Sequence, residues 1–300
     1  MSKDNPLVNI DLKGLSKPLT KLVETVGAGC GVLYEPTRIK RKAKAEAVAT
    51  EIMAEADAKK QEIAQRAAHR FQDTEIRRQE NVEAITAKAY TLLDEDKNTV
   101  VSEEPVSEDW VHRFYDECKD IGEEEAQKLW GKVLAEEVKN PNSFSPRTLH
   151  TLKNMSRKEA ETFTSLCSFV FEIPASGSKN HIVPIVLEPN DSLLTTRGLN
   201  YMILKDLDAI GLINFDSLAG TSFKKVNQII IMYFGKKFFL HAPQPSDLSA
   251  GKVSFTPVGR ELYKLTEPIP DDAILKKVLD DLEKANWNIQ DLNTTLSTDK

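Results

Sequence analysis

The residues with the clearest chemistry in this sequence are cationic, and they are concentrated near the N-terminus. Five of them fall within seven positions: Arg38, Lys40, Arg41, Lys42 and Lys44. Such a cluster attracts anionic lipid headgroups and other phosphates through its charge. It is also typical of the solvated start of an ordinary helix. We therefore treat these residues as candidate contacts for a membrane surface or a protein partner.

An apolar stretch precedes the cluster, within an N-terminal segment spanning residues 1–36. Ser16-Lys17-Pro18 predicts a helix start, because serine can cap free amides and proline in the first turn costs no hydrogen bond. The apolar residues at helical spacing, which complete the candidate contact set, are Leu15, Leu19, Leu22, Val23 and Val26. Either this face packs against the protein or another copy, which we favour, or it contacts a membrane.

Carboxylates are numerous but do not form a catalytic pattern. General acid–base catalysis needs two carboxyl groups in one partly buried place with separated pKa values. Glu136, Glu137 and the run Glu123 to Glu125 instead flank an apolar helix face, so we expect them at a solvated surface. The sequence predicts no catalytic residues here.

Cofactor and metal patterns are also not found in the sequence. The glycines at 27, 29 and 31 lack the spacing of a dinucleotide fingerprint and the Gly-Lys-Ser/Thr of a phosphate loop. The three cysteines form no C-x-x-C pair, which suits a reducing compartment, and His69 has no ligand-spaced partner. We expect a non-enzymatic protein without a cofactor or a metal.

The net charge of -6 is distributed unevenly along the 300 residues. Residues 37–91 carry twelve bases against nine acids, whereas residues 92–140 carry fifteen acids against six bases. The acidity is therefore local, and the overall charge does not exclude an anionic partner.

The elements that must position these charges begin with a long helix. Residues 37–92 contain no glycine or proline and are rich in alanine, glutamate, lysine and arginine. Their best apolar line has a period close to an eleven-residue repeat and consists mainly of small side chains. We expect an exposed, coiled-coil-like helix that self-associates, so the protein is expected to be a homo-oligomer.

Two further regions follow the long helix. Residues 93–106 are charged, rich in turn-forming residues and end near Pro105, which predicts an acidic linker. Residues 107–173 predict a helical domain with Trp110 and Trp130 as apolar anchors and a capping box at Ser156. The fold class is therefore mainly α up to this point, with an α+β part after it.

The C-terminal pattern over residues 178–268 resembles a winged-helix module. A helix ends at Gly211-Leu-Ile213, strands follow, and Thr256-Pro-Val-Gly259 opens a closing helix. Residues 269–300 are expected to form a C-terminal helix and tail. Winged helices often bind DNA, and the candidate nucleic-acid contacts are Arg197, Lys205, Lys236 and Lys237. Because these offer little basic surface, a protein-binding winged helix is favoured over a nucleic-acid-binding one.

Four blocks of sequence carry a resemblance across most of the chain: residues 33–46, Asp109-Trp110 with Arg113, residues 129–138 and residues 144–154. In order and spacing they resemble the bacterial family called domain of unknown function 2806. The resemblance implies a bacterial cytosolic protein and brings no catalytic residues. Gly122 and Gly131 depart from the pattern, where Asp or Ser and Ala are expected, and these departures concern only helix starts and packing.

The sequence thus predicts a non-enzymatic bacterial protein that self-associates through its long helix. Its N-terminal segment is expected to contact an anionic membrane or a partner of unknown identity, as in an effector or sensor of a defence response. The alternative is a winged-helix nucleic-acid-binding regulator. No signal peptide or long apolar run is found, so the expected location is cytoplasmic or peripheral at the inner membrane.

Overall fold

A computed structural model describes residues 16–30, 58–96, 99–174 and 180–293. The chain divides into two compact units, residues 1–153 and residues 154–300. The sequence-based boundaries lie elsewhere, at the linker 93–106 and between residues 173 and 178. Leu15 and the basic cluster at 38–44 lie outside the described residues.

The first unit contains five described helices: α1 (Lys17–Cys30), α2 (Ala58–Glu95), α3 (Glu108–Cys118), α4 (Glu124–Lys139) and α5 (Pro146–Asn154). Helix α2 has 38 residues and runs three positions into the expected linker. It is long because no glycine or proline interrupts it. The expected segment 37–57 of the same helix is outside the described residues.

Helix α2 packs against α4 through the second half of its length. Val82, Ile85, Ala89 and Leu93 are buried on one face of α2. Gly131 of α4 lets the two backbones approach, because a Cβ atom built there would lie 2.8 Å from Lys88 Cβ and 3.3 Å from the Ile85 carbonyl oxygen. Gly131, one of the two glycines that depart from the pattern of the resemblance, therefore lies where α2 and α4 come close together.

Aromatic side chains fill the space between α3 and α4. The rings of Trp110 and Phe114 stack with centroids 5.1 Å apart, and Phe114 meets Trp130 edge-on at 5.5 Å. Trp110 Nε1 donates a 2.6 Å hydrogen bond to the carbonyl oxygen of Phe144. Both tryptophans are buried anchors.

Glu137 corrects the expectation that the α4 carboxylates are solvated. Its side chain is only 2% exposed. Its carboxylate accepts the amide of Asn142 at 2.6 Å and the amide of Phe144 at 3.0 Å. A buried carboxylate is tolerated when backbone donors satisfy it. Glu137 and Trp110 together hold the loop that leads into α5.

The second unit combines helices and strands, which confirms the mixed α and β class. Its helices are α6 (Arg157–Cys167), α7 (Ser192–Thr196), α8 (Tyr201–Ala209), α9 (Pro257–Tyr263) and α10 (Asp272–Lys284). Its strands are β1 (Val170–Ile173), β2 (His181–Pro184), β3 (Ile213–Phe215), β4 (Thr221–Tyr233), β5 (Lys236–Gly251), β6 (Val253–Phe255) and β7 (Asn288–Asp291).

Two antiparallel sheets organise these strands. The larger has the order β2-β1-β4-β5-β7, and the smaller pairs β3 with β6. The inner face of the larger sheet contributes Phe171, Ile231, Tyr233, Phe238 and Leu240 to the core. Strands β1 and β7 are absent from the sequence-based description, because four-residue strands at the ends of helical segments carry little periodic signal.

The two motifs of the winged-helix resemblance meet in the structure. Thr256 Oγ1 donates to the Gly211 carbonyl oxygen at 2.7 Å and caps α9 by accepting from the Gly259 amide at 3.0 Å. A Cβ atom at Gly259 would lie 1.9 Å from the Leu212 carbonyl oxygen, so only glycine fits. The β4–β5 hairpin between β3 and β6 is longer than the expected wing and forms the centre of the larger sheet.

Candidate interaction surfaces

Four of the ten predicted N-terminal contact residues lie among the described residues, and these four pack within their own unit. Leu19, Leu22 and Val26 are buried, and Val23 is half-buried. Helix α1 contacts α2, α3 and α4 along this face. Complete burial of such side chains is worth about 1.5–3 kcal/mol each. A membrane contact through this face requires α1 to leave the helices that cover it.

Ion pairs and hydrogen bonds also hold α1 against the segment that follows α2. Lys17 Nζ lies 3.1 Å from Glu103 Oε1, and Lys21 Nζ donates to the Ser102 carbonyl oxygen at 2.7 Å. Burial lowers the pKa of the Lys21 ammonium group, although Glu104 and Glu103 oppose that shift. Part of the expected acidic linker thus serves as a docking segment for α1.

The first half of α2 presents an exposed apolar line. Ile63 is 52% exposed and Phe71 is 60% exposed. At 3.6 residues per turn, Ile63, Ala67 and Phe71 lie on the helix face that continues as the buried Ile85 and Ala89. The same face is therefore a packed core surface in one half of the helix and a solvent-facing surface in the other.

An arginine row flanks this apolar line. Arg66, Arg70 and Arg77 are exposed and, with His69, Asp73 and Thr74, line a shallow open depression along α2. Arg66 Nη1 lies 3.4 Å from Glu62 Oε1 on the same helix. The sequence-based candidates did not include this row. Its spacing of four and then seven residues was the signal that could have identified it.

An acidic surface lies at the other end of α2. Glu95, Glu108 and Asp109 are exposed there, and the neighbouring Val100 is 89% exposed. Lys139 Nζ neutralises part of this surface, because it lies 3.4 Å from Asp96 Oδ2. Helix α3 places its first turn at this end because it runs antiparallel to α2. Two hydrogen bonds fix that direction: Thr86 Oγ1 lies 3.2 Å from the Tyr115 hydroxyl, and Asn81 Nδ2 donates to the Lys119 carbonyl oxygen.

Most of the predicted nucleic-acid contacts have acidic neighbours. Arg197 Nε donates to Asp271 Oδ2 at 2.6 Å, and Lys236 Nζ lies 2.8 Å from Asp272 Oδ1. Lys205 Nζ lies 3.7 Å from Asp208 Oδ2 and 5.3 Å from the centre of the Phe215 ring. Lys237 is exposed on β5. The acidic neighbours of Arg197, Lys205 and Lys236 offset part of the positive charge that phosphate binding needs.

Apolar side chains are exposed at the start of α8 and in the segment that follows β3. Tyr201 and Met202 lie in the first turn of α8, and Leu218 lies after β3. The Tyr201 ring meets Phe215 edge-on with centroids 5.2 Å apart. Exposed aromatic and methionine side chains are typical of protein-binding surfaces.

Among the described residues, no group of three histidine, cysteine, aspartate or glutamate side chains is placed to hold a metal ion. Among the helices described, none combines the length and apolar character needed to cross a bilayer. Cys118 and Cys167 are buried, and burial raises the pKa of the Cys167 thiol to about 12.

Comparison with known proteins places the chain in a family. No curated protein and no solved structure matches it. A family model described as "Protein of unknown function (DUF2806)" matches residues 65–279, which is more than two thirds of the 300 residues and extends from α2 to α10. Three of the four sequence blocks that carried the resemblance lie inside this range. The chain therefore belongs to the DUF2806 protein family.

Proposed function

We propose that this protein is a non-enzymatic interaction protein that self-associates through α2. The observation that carries the proposal is the exposure of Ile63 and Phe71 on the helix face that is buried further along. Isolated helices of 12–15 residues are marginal in water, so most helical stability in proteins comes from packing an apolar face. A second copy supplies that packing for the first half of α2.

The N-terminal segment is proposed to contact an anionic membrane surface or a protein partner. Because the apolar face of α1 packs within its own unit, this contact uses the cationic residues at 38–44 and leaves α1 in place. Each lysine or arginine near an anionic surface contributes about 1 kcal/mol, so five suffice for reversible binding. A role in a bacterial defence response remains one setting for such a protein.

The second unit is proposed to be a winged-helix-like docking module for protein. The exposed Tyr201, Met202 and Leu218 support a protein ligand, whereas the acidic neighbours of Arg197 and Lys236 disfavour nucleic acid. The contact between the Gly211 turn and the Thr256 cap supports the winged-helix assignment.

Sedimentation velocity of the full chain over a range of concentrations tests self-association. We expect Phe71→Asp to weaken association by about tenfold or more, because it places a charge in the apolar line. Gln65→Asp is the matched control, since Gln65 is exposed about 120° around the helix from Phe71. A wild-type protein that stays monomeric at every concentration contradicts the proposal.

A further inference from the structure

We infer that two copies of the chain pair through an antiparallel contact between their α2 helices. The contact uses the arm, which is residues 62–77, the half of α2 that precedes its packed part. This inference rests on the proposed function, because it names the surface that the exposed half of α2 meets: the same surface of a second copy. A contact between identical surfaces is closed by a two-fold axis, so the assembly stops at a dimer.

A row of mixed charge runs along one side of the arm's apolar line. At about 100° per residue, five charged side chains fall within about 80° of the helix circumference, beside Ile63. In chain order this charged row consists of Glu62, Arg66, Arg70, Asp73 and Arg77, and all five are exposed. Their signs are negative, positive, positive, negative and positive. The row is nearly neutral in sum, so its partner is selected by the order of the charges and not by their total.

Antiparallel pairing places the charged row against the same row of the second copy. The two-fold axis of an antiparallel pair is perpendicular to the helices, so each flank of the apolar line faces the identical flank of the partner. In a parallel pair it faces the opposite flank. That flank offers Ala64, Ala68 and Gln72, together with Glu75, which lies 2.8 Å from Arg78 Nη1. A parallel pair therefore leaves the charged row facing mainly uncharged side chains.

Reversed in direction, the charged row complements itself. When Glu62 of one copy lies opposite Arg77 of the other, Arg66 lies opposite Asp73, because both pairs are symmetric about one point in the middle of the arm. The two-fold axis repeats each pair and gives four contacts between opposite charges. Arg70 lies beside the axis and approaches its own counterpart, so one contact between like charges opposes these four. The majority favours association and sets the antiparallel direction.

The ion pair that the arm already contains is compatible with these contacts. Arg66 Nη1 lies 3.4 Å from Glu62 Oε1, and both side chains are about two-thirds exposed. Exposed pairs of this kind contribute little to stability. A guanidinium group also has five N–H donors, so Arg66 can bind Glu62 within its helix and Asp73 of the second copy at once.

The packing of α2 selects the same register. The paired segments overlap over residues 62–77 in both copies, which is about 24 Å at 1.5 Å per residue. The overlap ends at Arg78, where Nε donates to Asp120 Oδ1 and the helix joins its own unit. In this register Phe71, which is 60% exposed, lies within about 1.5 Å of the level of Ala67 of the second copy. A large side chain therefore meets a small one near the axis.

Two variants of the full chain that keep its net charge test this inference. The first is Glu62→Arg, Arg66→Glu, and the second is Asp73→Arg, Arg77→Glu. Each exchanges two opposite charges four residues apart, so an ion pair within the helix remains possible. In a dimer of either variant, all four contacts across the interface become contacts between like charges. In a heterodimer of the two variants, all four are again between opposite charges.

Sedimentation velocity at low salt compares wild type, each variant and an equal mixture of the two. We expect wild type to form a dimer that salt weakens, and each variant alone to associate about tenfold or more weakly. We expect the mixture to dimerise nearly as tightly as wild type. Circular dichroism verifies that the variants fold, and a variant that had lost its fold could not recover on mixing.

Three results would overturn the antiparallel contact while self-association stands. They are a variant that dimerises as tightly as wild type, a mixture that stays as weak as its components, and a wild-type assembly that grows beyond a dimer. If wild type is monomeric at every concentration, the proposed function fails as well.

Discussion

At the residue scale, Glu137 shows how one buried carboxylate organises a loop. It lies at the end of α4 and receives the backbone amides of Asn142 and Phe144, while Trp110 holds the Phe144 carbonyl oxygen. The loop amides therefore have an acceptor inside the unit, the Glu137 carboxylate, and the Phe144 carbonyl oxygen has a donor there, the Trp110 indole N–H. Glu137, Trp110 and Phe144 come from three of the blocks that resemble the family, so these blocks meet around a structural contact.

Replacing Glu137 with glutamine is expected to destabilise the protein. Glutamine keeps the shape but replaces one acceptor oxygen with an amide group that cannot accept from a backbone amide. Hydrogen bonds to charged groups contribute about 1.5–3 kcal/mol, so we expect a loss of that size in the free energy of unfolding. Chemical denaturation measures it.

The neighbouring Glu136→Gln is the control for this change. Glu136 is part-exposed and pairs with Lys139 at 3.1 Å, and exposed pairs contribute little. Equal effects of the two substitutions would show that the buried position of Glu137 has no special role.

At the element scale, α2 is divided by its surroundings and not by its sequence. Its second half packs against α3 and α4. The packed part of the helix begins near Arg78, whose Nε donates to Asp120 Oδ1 at 2.8 Å. Its first half carries the exposed Ile63 and Phe71. One continuous helix thus belongs to a core at one end and forms a candidate docking surface at the other.

The packing of α4 on α2 predicts an unusual effect of alanine. Gly131→Ala improves helix propensity by about 1 kcal/mol, but overpacking costs about 1–3 kcal/mol. The new Cβ atom would lie 2.8 Å from Lys88 Cβ and 3.2 Å from the Ala89 amide nitrogen, so the helices must separate. We expect a net loss of stability of about 1 kcal/mol, seen as a lower thermal midpoint.

Gly27→Ala provides the opposite case in α1. Nothing lies within 4 Å of a Cβ atom built at Gly27, so only the propensity gain remains. The two substitutions should therefore shift the thermal midpoint in opposite directions. A stabilising effect of alanine at both positions would disprove the close approach of α2 and α4.

At the scale of the whole molecule, the distribution of charge matters more than its sum. The net charge of -6 combines a basic stretch before residue 91 with a strongly acidic stretch at 92–140. The structure places part of the acidic stretch at the end of α2 and pairs cations of the second unit with acids. The proposed attraction to an anionic surface is therefore assigned to the N-terminal cluster at residues 38–44.

Vesicle flotation of the full chain tests whether the basic cluster at residues 38–44 binds an anionic membrane. We expect wild type to float with anionic vesicles at low salt, and a variant with Arg38, Lys40, Arg41, Lys42 and Lys44 changed to glutamine to stay in the soluble fraction. High salt should release wild type, because the Debye length is then only about 3 Å. Neutralising Arg197, Lys205, Lys236 and Lys237 is the control and should leave flotation unchanged. Wild type that does not float rules out the membrane contact.

The sequence by itself determined the local features: the uninterrupted α2, the apolar period of α1, the Ser156 and Thr256 caps and most strands of the second unit. Such features depend on neighbours within a few residues, so period, propensity and caps identify them. Only the tertiary structure decided that Glu137 is buried, that the α1 face is occupied and that Arg197 meets Asp271. These depend on partners far apart in the chain, and no local pattern contains that information. The same reason explains why the arginine row and the acidic surface of Glu95, Glu108 and Asp109 became candidate surfaces only when the fold was known.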